Sequence, residues 1–302
     1  MSPFTVDSEE SRPDRAVVLS ARYKIYRLPV HTGGDAPQNA AMNPVLFALL
    51  MPGLLMAPPA PASSPVPGFA RLPLEQRRAE IQALSHERLV ELFATTPVAV
   101  LLDAGKSAAS QLGTYEARVV KRERVSGKLL KPQTLHLTVR QSPRAVRLEI
   151  LDGPAKGRRV VYDSLVKKNE LRVREAGILG LAGPMWIDIH SDLTRKDTNH
   201  PISDFAFTSI IGVLEDSFQK GEALGGYTRK DEGFDAAGLY CITFTAPAGG
   251  EHLYATRARI CMDAVLALPV IMEIDDAHGP LERFDFRDVK PVAQADFSPS
   301  SL

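Results

Sequence analysis

The sequence predicts a mainly β protein built on a meandering antiparallel sheet with a few helices, and three observations predict it. From Thr114 onward, apolar residues recur at every second position, the period of a half-buried strand. The strand-like segments follow one another at gaps too short for the helical crossovers that parallel strands need. Helix-like apolar spacing is confined to the stretch before Thr114 and to one later insertion.

In chain order, residues 42–62, MNPVLFALLMPGLLMAPPAPA, hold an uncharged apolar run from Val45 to Met56 that ends in the small-x-small triplet Ala60-Pro61-Ala62. This is the pattern of an export signal. The run is shorter than the ~20 apolar residues that cross a bilayer, so it is expected to act as a signal peptide and be removed. The 41 residues ahead of it are expected to form a disordered extension over 1–41, or to lie upstream of a true start at Met42. A Pro/Ala linker joining an N-terminal arm to a domain is the competing reading. Export implies a periplasmic protein. Nothing after Met56 resembles a membrane span. With 36 basic and 36 acidic residues, the chain lacks the basic excess that nucleic-acid binding requires.

Leu74, Ile81 and Leu84, then Leu89, Leu92 and Phe93, then Val98 to Leu102 after Pro97 predict two or three short helices. They make up a helical segment over 63–112 that packs on the sheet. The sheet domain spans 113–297, with a frayed tail over 298–302. Its first strand carries Tyr115, Ala117 and Val119 on one side, with Glu116, Arg118 and Arg122 on the other. Leu135, Leu137 and Val139 repeat the pattern, as do Val146, Leu148 and Ile150. Further strands are expected at Arg159–Asp163, Leu171–Arg174 and Trp186–His190. A helix over 202–220, capped by Ser203 or Asp204, carries Phe207, Ile210, Ile211 and Leu214. Strands resume near Thr228 and continue through Leu239–Thr245, Tyr254–Met262, Val270–Asp275 and Glu282–Asp288.

Cys241 and Cys261 flank the turn-forming segment APAGGEH. A hairpin folded about Glu251 sets Cys241 opposite Cys261, Thr243 opposite Arg259 and Ile242 opposite Ile260, so polar meets polar and apolar meets apolar. Facing α-carbons at ~4.5 Å allow a disulfide, which an oxidising compartment would preserve; two unpaired thiols are the alternative. Without CxxC or a paired histidine, the cysteines form an incomplete metal set.

Candidate chemistry is sparse. Asp188, His190 and Asp192 alternate in WIDIHSD, where a solvated strand face outweighs a metal site. His200 precedes Pro201 and is expected to bond a neighbouring backbone group or carboxylate. The cations Lys121, Arg122, Arg124, Lys128 and Lys131, offset by Glu123, are expected on a solvated face, with contact to anionic headgroups as the minor alternative. Gly153-Pro154-Ala155-Lys156-Gly157 lies between strands and opens no helix, so it is a turn and not a phosphate loop. There is no GxSxG, HExxH, P-loop or dinucleotide fingerprint. On a curved sheet, the inward residues Tyr115, Val119, Leu137, Leu148, Tyr162, Trp186, Phe244 and Met262, with Ile150, Met272, Phe284 and Phe286, face the helix of Phe207, Ile211 and Leu214. They line a cavity suited to acyl chains, or else they fill a core, which periodicity alone favours.

The strings TYEARVVKRERVSGKLL, GPAKGRRVVYDS, REAGILGLAG, DTNHPI and YATRARICMDAVLALPV resemble domain-of-unknown-function family 1571, uncharacterised exported bacterial proteins, over Leu112 to Phe297. Tyr115, Glu123, Gly127, Arg140, Pro143, Gly157, Tyr162, Glu175, Gly177, His200, Pro201, Cys241, Cys261, Leu268 and Pro269 carry the match. The resemblance implies export and no established activity. The ending Leu268-Pro269-Val270, with the Gly279 turn and ERFDFRDVKP, is similar to the lipoprotein-carrier (LolA-like) fold. That implies a strongly bent antiparallel half-barrel closed by helices over an apolar cavity. The expected function is non-catalytic binding of a lipid, acyl chain or lipidated partner, without a cofactor, with Arg140, Arg147 or Arg159 attracting a headgroup. A structural or regulatory interaction module with a filled core is the second reading, and a hydrolase using His200 or His190 the third.

Overall fold

The computed structural model describes residues 68–302; the disordered extension expected over 1–41 and the signal peptide expected over 42–62 lie outside the described residues. Three helices come first: α1 (Leu74–Ala83), α2 (His86–Thr95) and α3 (Val98–Leu112). Pro73 and Pro97 precede α1 and α3, and the Ser85 hydroxyl caps α2 by accepting the Arg88 N–H. Arg77 of α1 is fully buried. Its guanidinium donates to the carbonyls of Ala70, Ala104 and Leu266, tying α1 to α3 and to the turn at Leu266.

Twelve strands follow: β1 (Thr114–Val125), β2 (Lys128–Leu129), β3 (Gln133–Arg140), β4 (Ala145–Asp152), β5 (Arg159–Asp163), β6 (Glu170–Arg174), β7 (Met185–Asp188), β8 (Thr228–Phe234), β9 (Leu239–Thr245), β10 (Arg257–Asp263), β11 (Pro269–Asp276) and β12 (Gly279–Pro291). They form one sheet in the order β7-β6-β5-β4-β3-β1-β12-β11-β10-β9-β8, with β2 folded back on β1. Every pairing is antiparallel. The sheet is an open half-barrel with β7 and β8 at its two edges. Two meanders, β3–β7 and β8–β12, meet where β1 pairs with β12, joining residues as distant as Tyr115 and Pro291.

This order forces one long connection. The chain leaves β7 at one edge and must reach β8 at the other, so residues 189–227 cross the sheet. The crossing contains a short helix, α4 (Asp192–Arg195), a 3₁₀ turn (Ile202–Phe205) and α5 (Phe207–Glu222). The helix expected over 202–220 is therefore broken at Ala206, which is extended (φ −90°, ψ 140°). Neither Ser203 nor Asp204 caps α5; the Phe207 N–H donates to the Tyr115 hydroxyl of β1 instead, so the sheet itself terminates the helix. Phe207 stacks on Tyr115 and packs on Phe286 of β12, with ring centroids 5.3 and 4.9 Å apart. On its other side α5 meets α3, where a Cβ added to Gly105 would lie 2.5 Å from the Ala267 carbonyl oxygen and 3.2 Å from Ile211.

The final residues are not frayed as expected: Pro299–Ser301 form a 3₁₀ turn capped by Ser298, and Leu302 is buried. The β9–β10 register matches the expected pairing, with Cys241 opposite Cys261 and Thr243 opposite Arg259. A disulfide joins the cysteines across α-carbons 4.0 Å apart. It closes a segment with a sequence separation of 20, for which the chain-entropy account gives ~3 kcal/mol. The C241A/C261A variant is expected to lose about that much stability in urea unfolding; an unchanged midpoint would show that the bond constrains nothing.

Candidate functional site

The inward face of β1 does not stay apolar. Its alternation runs from Tyr115, Ala117 and Val119 into Lys121 and Glu123, and these two are 6% and 2% exposed. The expectation that Lys121 sits on a solvated face fails because the period of two continues through the charged run; Arg122 remains outside. The Lys121 ammonium donates to Glu123 Oε1 at 2.6 Å and to the Asp197 carbonyl at 3.0 Å. Glu123 Oε2 accepts the Asn199 N–H at 2.6 Å and the Thr198 hydroxyl at 3.1 Å. The buried pair thus anchors the crossing connection to the central strand, satisfying the hydrogen-bonding groups that burial would otherwise penalise.

This anchor places His200. Its Nε2 lies 2.8 Å from Glu282 Oε2 of β12 and 3.0 Å from the Tyr254 hydroxyl, which bears out the expectation of a carboxylate partner. Burial alone lowers the imidazole pKa, but the Glu282 hydrogen bond and the charges of Glu282, Glu123 and Asp204 outweigh it and hold the pKa above its ordinary value. Glu123, His200 and Glu282 bring donor atoms within 4.8 Å of one another. They could offer a cation one nitrogen and two carboxylates, but Lys121 already neutralises Glu123 there.

The pinned segment divides the inner face into two pockets, and His200 and Phe205 line both. The first lies between α5 and strands β9–β12 and holds about 770 Å³ of unfilled space, part of it open to solvent. Ile210, Val213, Leu214 and Phe218 form its helix wall; Phe244, Ala258, Ile260, Met272, Ile274, Phe284 and Phe286 form its sheet wall. Its polar groups are few: His200, Asp204, Ser217, Tyr227, Tyr254 and Glu282. The second, about 690 Å³, lies over β3–β7 and mixes Leu135, Leu148, Ile150 and Val173 with Lys121, Arg158, Glu175 and Asp197. Arg158 is paired with both Glu175 and Asp197 at 2.8 Å.

Of the ten expected cavity residues, Phe244 lines the first pocket and Leu148 the second. Tyr115, Val119, Leu137, Tyr162, Phe207, Ile211 and Met262 belong to the filled core. Trp186 lies near the sheet edge, half-exposed, with Lys167 Nζ 4.5 Å from its ring centroid. Arg140, Arg147 and Arg159 line neither pocket. Asp188, His190 and Asp192 do not share a strand face, because β7 stops at Asp188, whose side chain accepts the His190 N–H in a turn. Sequence reasoning missed Lys121, Glu123, Tyr254 and Glu282. The unbroken alternation along β1 was the signal for the first two, whereas Glu282 and Tyr254 meet His200 only through the fold.

A family model described as a protein of unknown function, DUF1571, matches residues 112–301. No curated protein matches the chain significantly. Among solved structures, a LolA superfamily protein from Nitrosomonas europaea is similar at 12% identity, over 68% of this chain and 100% of that one, with a TM-score of 0.33. The Mycobacterium tuberculosis lipoprotein LppX is similar at 15% identity, over 66% and 100%, with a TM-score of 0.37. For the Pseudomonas aeruginosa MucA/MucB complex the values are 15%, 64% and 61%, with a TM-score of 0.35. Among the described residues, no helix is long and apolar enough to cross a membrane.

Two outcomes are expected. Removing one member of the buried pair with E123Q leaves Lys121 uncompensated and is expected to cost about 3–5 kcal/mol in denaturant unfolding, well above the cost of the paired replacement K121M/E123L. An NMR titration of His200 is expected to give a pKa above the ordinary ~6.5, and E282Q is expected to lower it. Because the folded-state value is the raised one, the stabilisation from charged His200 is fully present below the unfolded pKa and is lost as pH rises through the folded pKa. Equal His200 titrations in wild type and E282Q would contradict this.

Proposed function

Since this chain belongs to the DUF1571 family, whose description assigns no activity, we propose a function from its geometry: non-catalytic binding of a lipid or other long apolar molecule in the pocket beneath α5. The observation that carries this reading is the pocket wall, aliphatic and aromatic over both helix and sheet, with a polar cluster of His200, Tyr254 and Glu282. Such a cavity suits an extended hydrocarbon body with a hydrogen-bonding head directed at that cluster. Burial contributes ~0.8 kcal/mol per methylene, so a chain of about ten buried methylenes approaches the ~8 kcal/mol of micromolar binding before ordering costs. A periplasmic setting is the natural one for this reading. Support comes from the disulfide, which persists in oxidising compartments, and from the signal-like run over 42–62.

One observation favours a second reading. His200 bonded to Glu282 beside a pocket has the form of an oriented general base. Against it, the protein groups at hydrogen-bond distance from Nε2 among the described residues are Tyr254 and Glu282, and Ser217, although it lines the same pocket, makes no hydrogen bond with His200. An interaction module with a wholly filled core finds less support than either, given the unfilled space under α5.

Displacement of a fluorescent fatty acid from the delipidated full chain tests the proposal. Wild type is expected to bind at micromolar concentration, and V213F, which fills the pocket from α5, is expected to bind at least about ten-fold more weakly through overpacking of the cavity. H200N is expected to keep most of the affinity. Absence of binding by wild type, or equal binding by V213F, would rule the proposal out; ester hydrolysis abolished by H200N would establish the second reading instead.

A further inference from the structure

One end of the sheet presents aliphatic side chains to solvent on a glycine-flanked turn. Between β6 and β7, Gly177–Ala182 form a 3₁₀ turn in which Ile178, Leu179 and Leu181 are 86%, 71% and 85% exposed. The turn is built to project them. Gly180 is buried, and a Cβ there would lie 2.3 Å from the Glu175 carbonyl oxygen, so this residue faces inward while its neighbours face out. Gly177 and Gly183 supply positive φ values of 62° and 83° on either side, which side chains rarely adopt. Met185, exposed at the start of β7, extends the apolar patch.

Cations surround it. Val173 pairs with Met185 and Arg159 with Arg174, so Arg159 and Arg174 stand at the strand ends nearest the turn. The β4–β5 turn touches it as well, since a Cβ at Gly157 would lie 3.6 Å from that of Ala176, and that turn carries exposed Lys156. Lys156, Arg159 and Arg174 form no ion pair among the described residues. Lys128 and Lys131 lie at the same end, beside the start of β3. The carboxylates nearby are fewer: Glu175 is held by Arg158, leaving Glu149, across the ladder from Arg159, and Asp152 at the end of β4.

From these features we infer that this end of the sheet docks on an anionic lipid bilayer, with Ile178, Leu179 and Leu181 entering the interface and Lys156, Arg159 and Arg174 meeting the headgroups. Aliphatic projections within a cationic collar match a bilayer, which offers negative charge at its surface and hydrocarbon just below. A folded protein partner with an apolar socket would not call for unpaired cations on three neighbouring elements. The inference stands apart from the pocket beneath α5 and holds whether or not that pocket takes a lipid.

Flotation of the full chain with vesicles tests it, since the apolar run over 45–56 is common to every variant and cancels in comparison. With vesicles of mixed phosphatidylcholine and phosphatidylglycerol, K156Q/R159Q/R174Q is expected to partition about 100-fold more weakly than wild type, and I178S/L179S/L181S is also expected to be depleted from the floating fraction. A local readout comes from replacing the single tryptophan (Trp186→Phe) and adding Leu179→Trp. Its emission is expected to shift to the blue and to be quenched by brominated lipid only when phosphatidylglycerol is present. Emission indifferent to vesicles, flotation unchanged in either triple variant, or equal binding to pure phosphatidylcholine would overturn the inference. A serine variant that floats normally but loses a bound protein would point to a protein partner and overturn it equally.

Discussion

A buried carboxylate on the central strand holds the working part of this molecule together. Glu123 accepts from Lys121, Thr198 and Asn199, and through the last two it fixes the middle of the segment that crosses from one edge of the sheet to the other. Without such an anchor the crossing would be a long loop lying on an apolar surface, with backbone groups in need of partners. With it, the chain is pinned where β1 meets β12, His200 is carried against Glu282, and α5 begins on Tyr115. A buried ion pair is weak evidence for stability as such, because desolvation consumes much of the attraction. Its role here is positional: it selects one path for the crossing among many that an apolar face alone would accept.

That path explains why the inner face is filled in some places and open in others. Under the start of α5, Phe207 stacks on Tyr115, packs against Phe286 and is fully buried. Farther along, the helix offers Ile210 and Val213 to a wall that includes the small residues Ala258 of β10 and Ala255 just before it, leaving a pocket, and helix and sheet meet again where Phe218 packs edge-on against Phe244 at 4.8 Å. The other flank of the crossing faces the β3–β7 meander, where Arg158, Glu175 and Asp197 form a paired cluster and the pocket is correspondingly polar. One pinned segment therefore separates an apolar compartment from a mixed one, with His200 facing both.

Much of the architecture was legible in the residues. The alternation in the main strands, the two or three short N-terminal helices and the Cys241–Cys261 register follow from local periodicity, since a strand's two faces are set by neighbours two positions apart. The site was legible only in pieces. Position before Pro201 points His200 to a backbone or carboxylate partner, whereas the charges of Lys121 and Glu123 point to solvent because charged residues are seldom buried unless paired, and the groups of the crossing segment that complete their pairing lie some 75 residues away. Inward orientation is a property that filled core and open pocket share: Tyr162 and Met262 sit in the core and line neither pocket.

The sequence by itself determined the apolar alternation of the main strands, the helical character of the stretch before Thr114 and how the cysteine hairpin aligns, because these rest on spacings of two to four residues and on one short turn. Only the tertiary structure decided that β1 and β12 close the middle of the sheet, that the crossing is pinned there, and that His200 meets a carboxylate 82 residues further on. Those outcomes depend on which strands become neighbours and on how closely packed surfaces can approach, and periodicity carries no information about either.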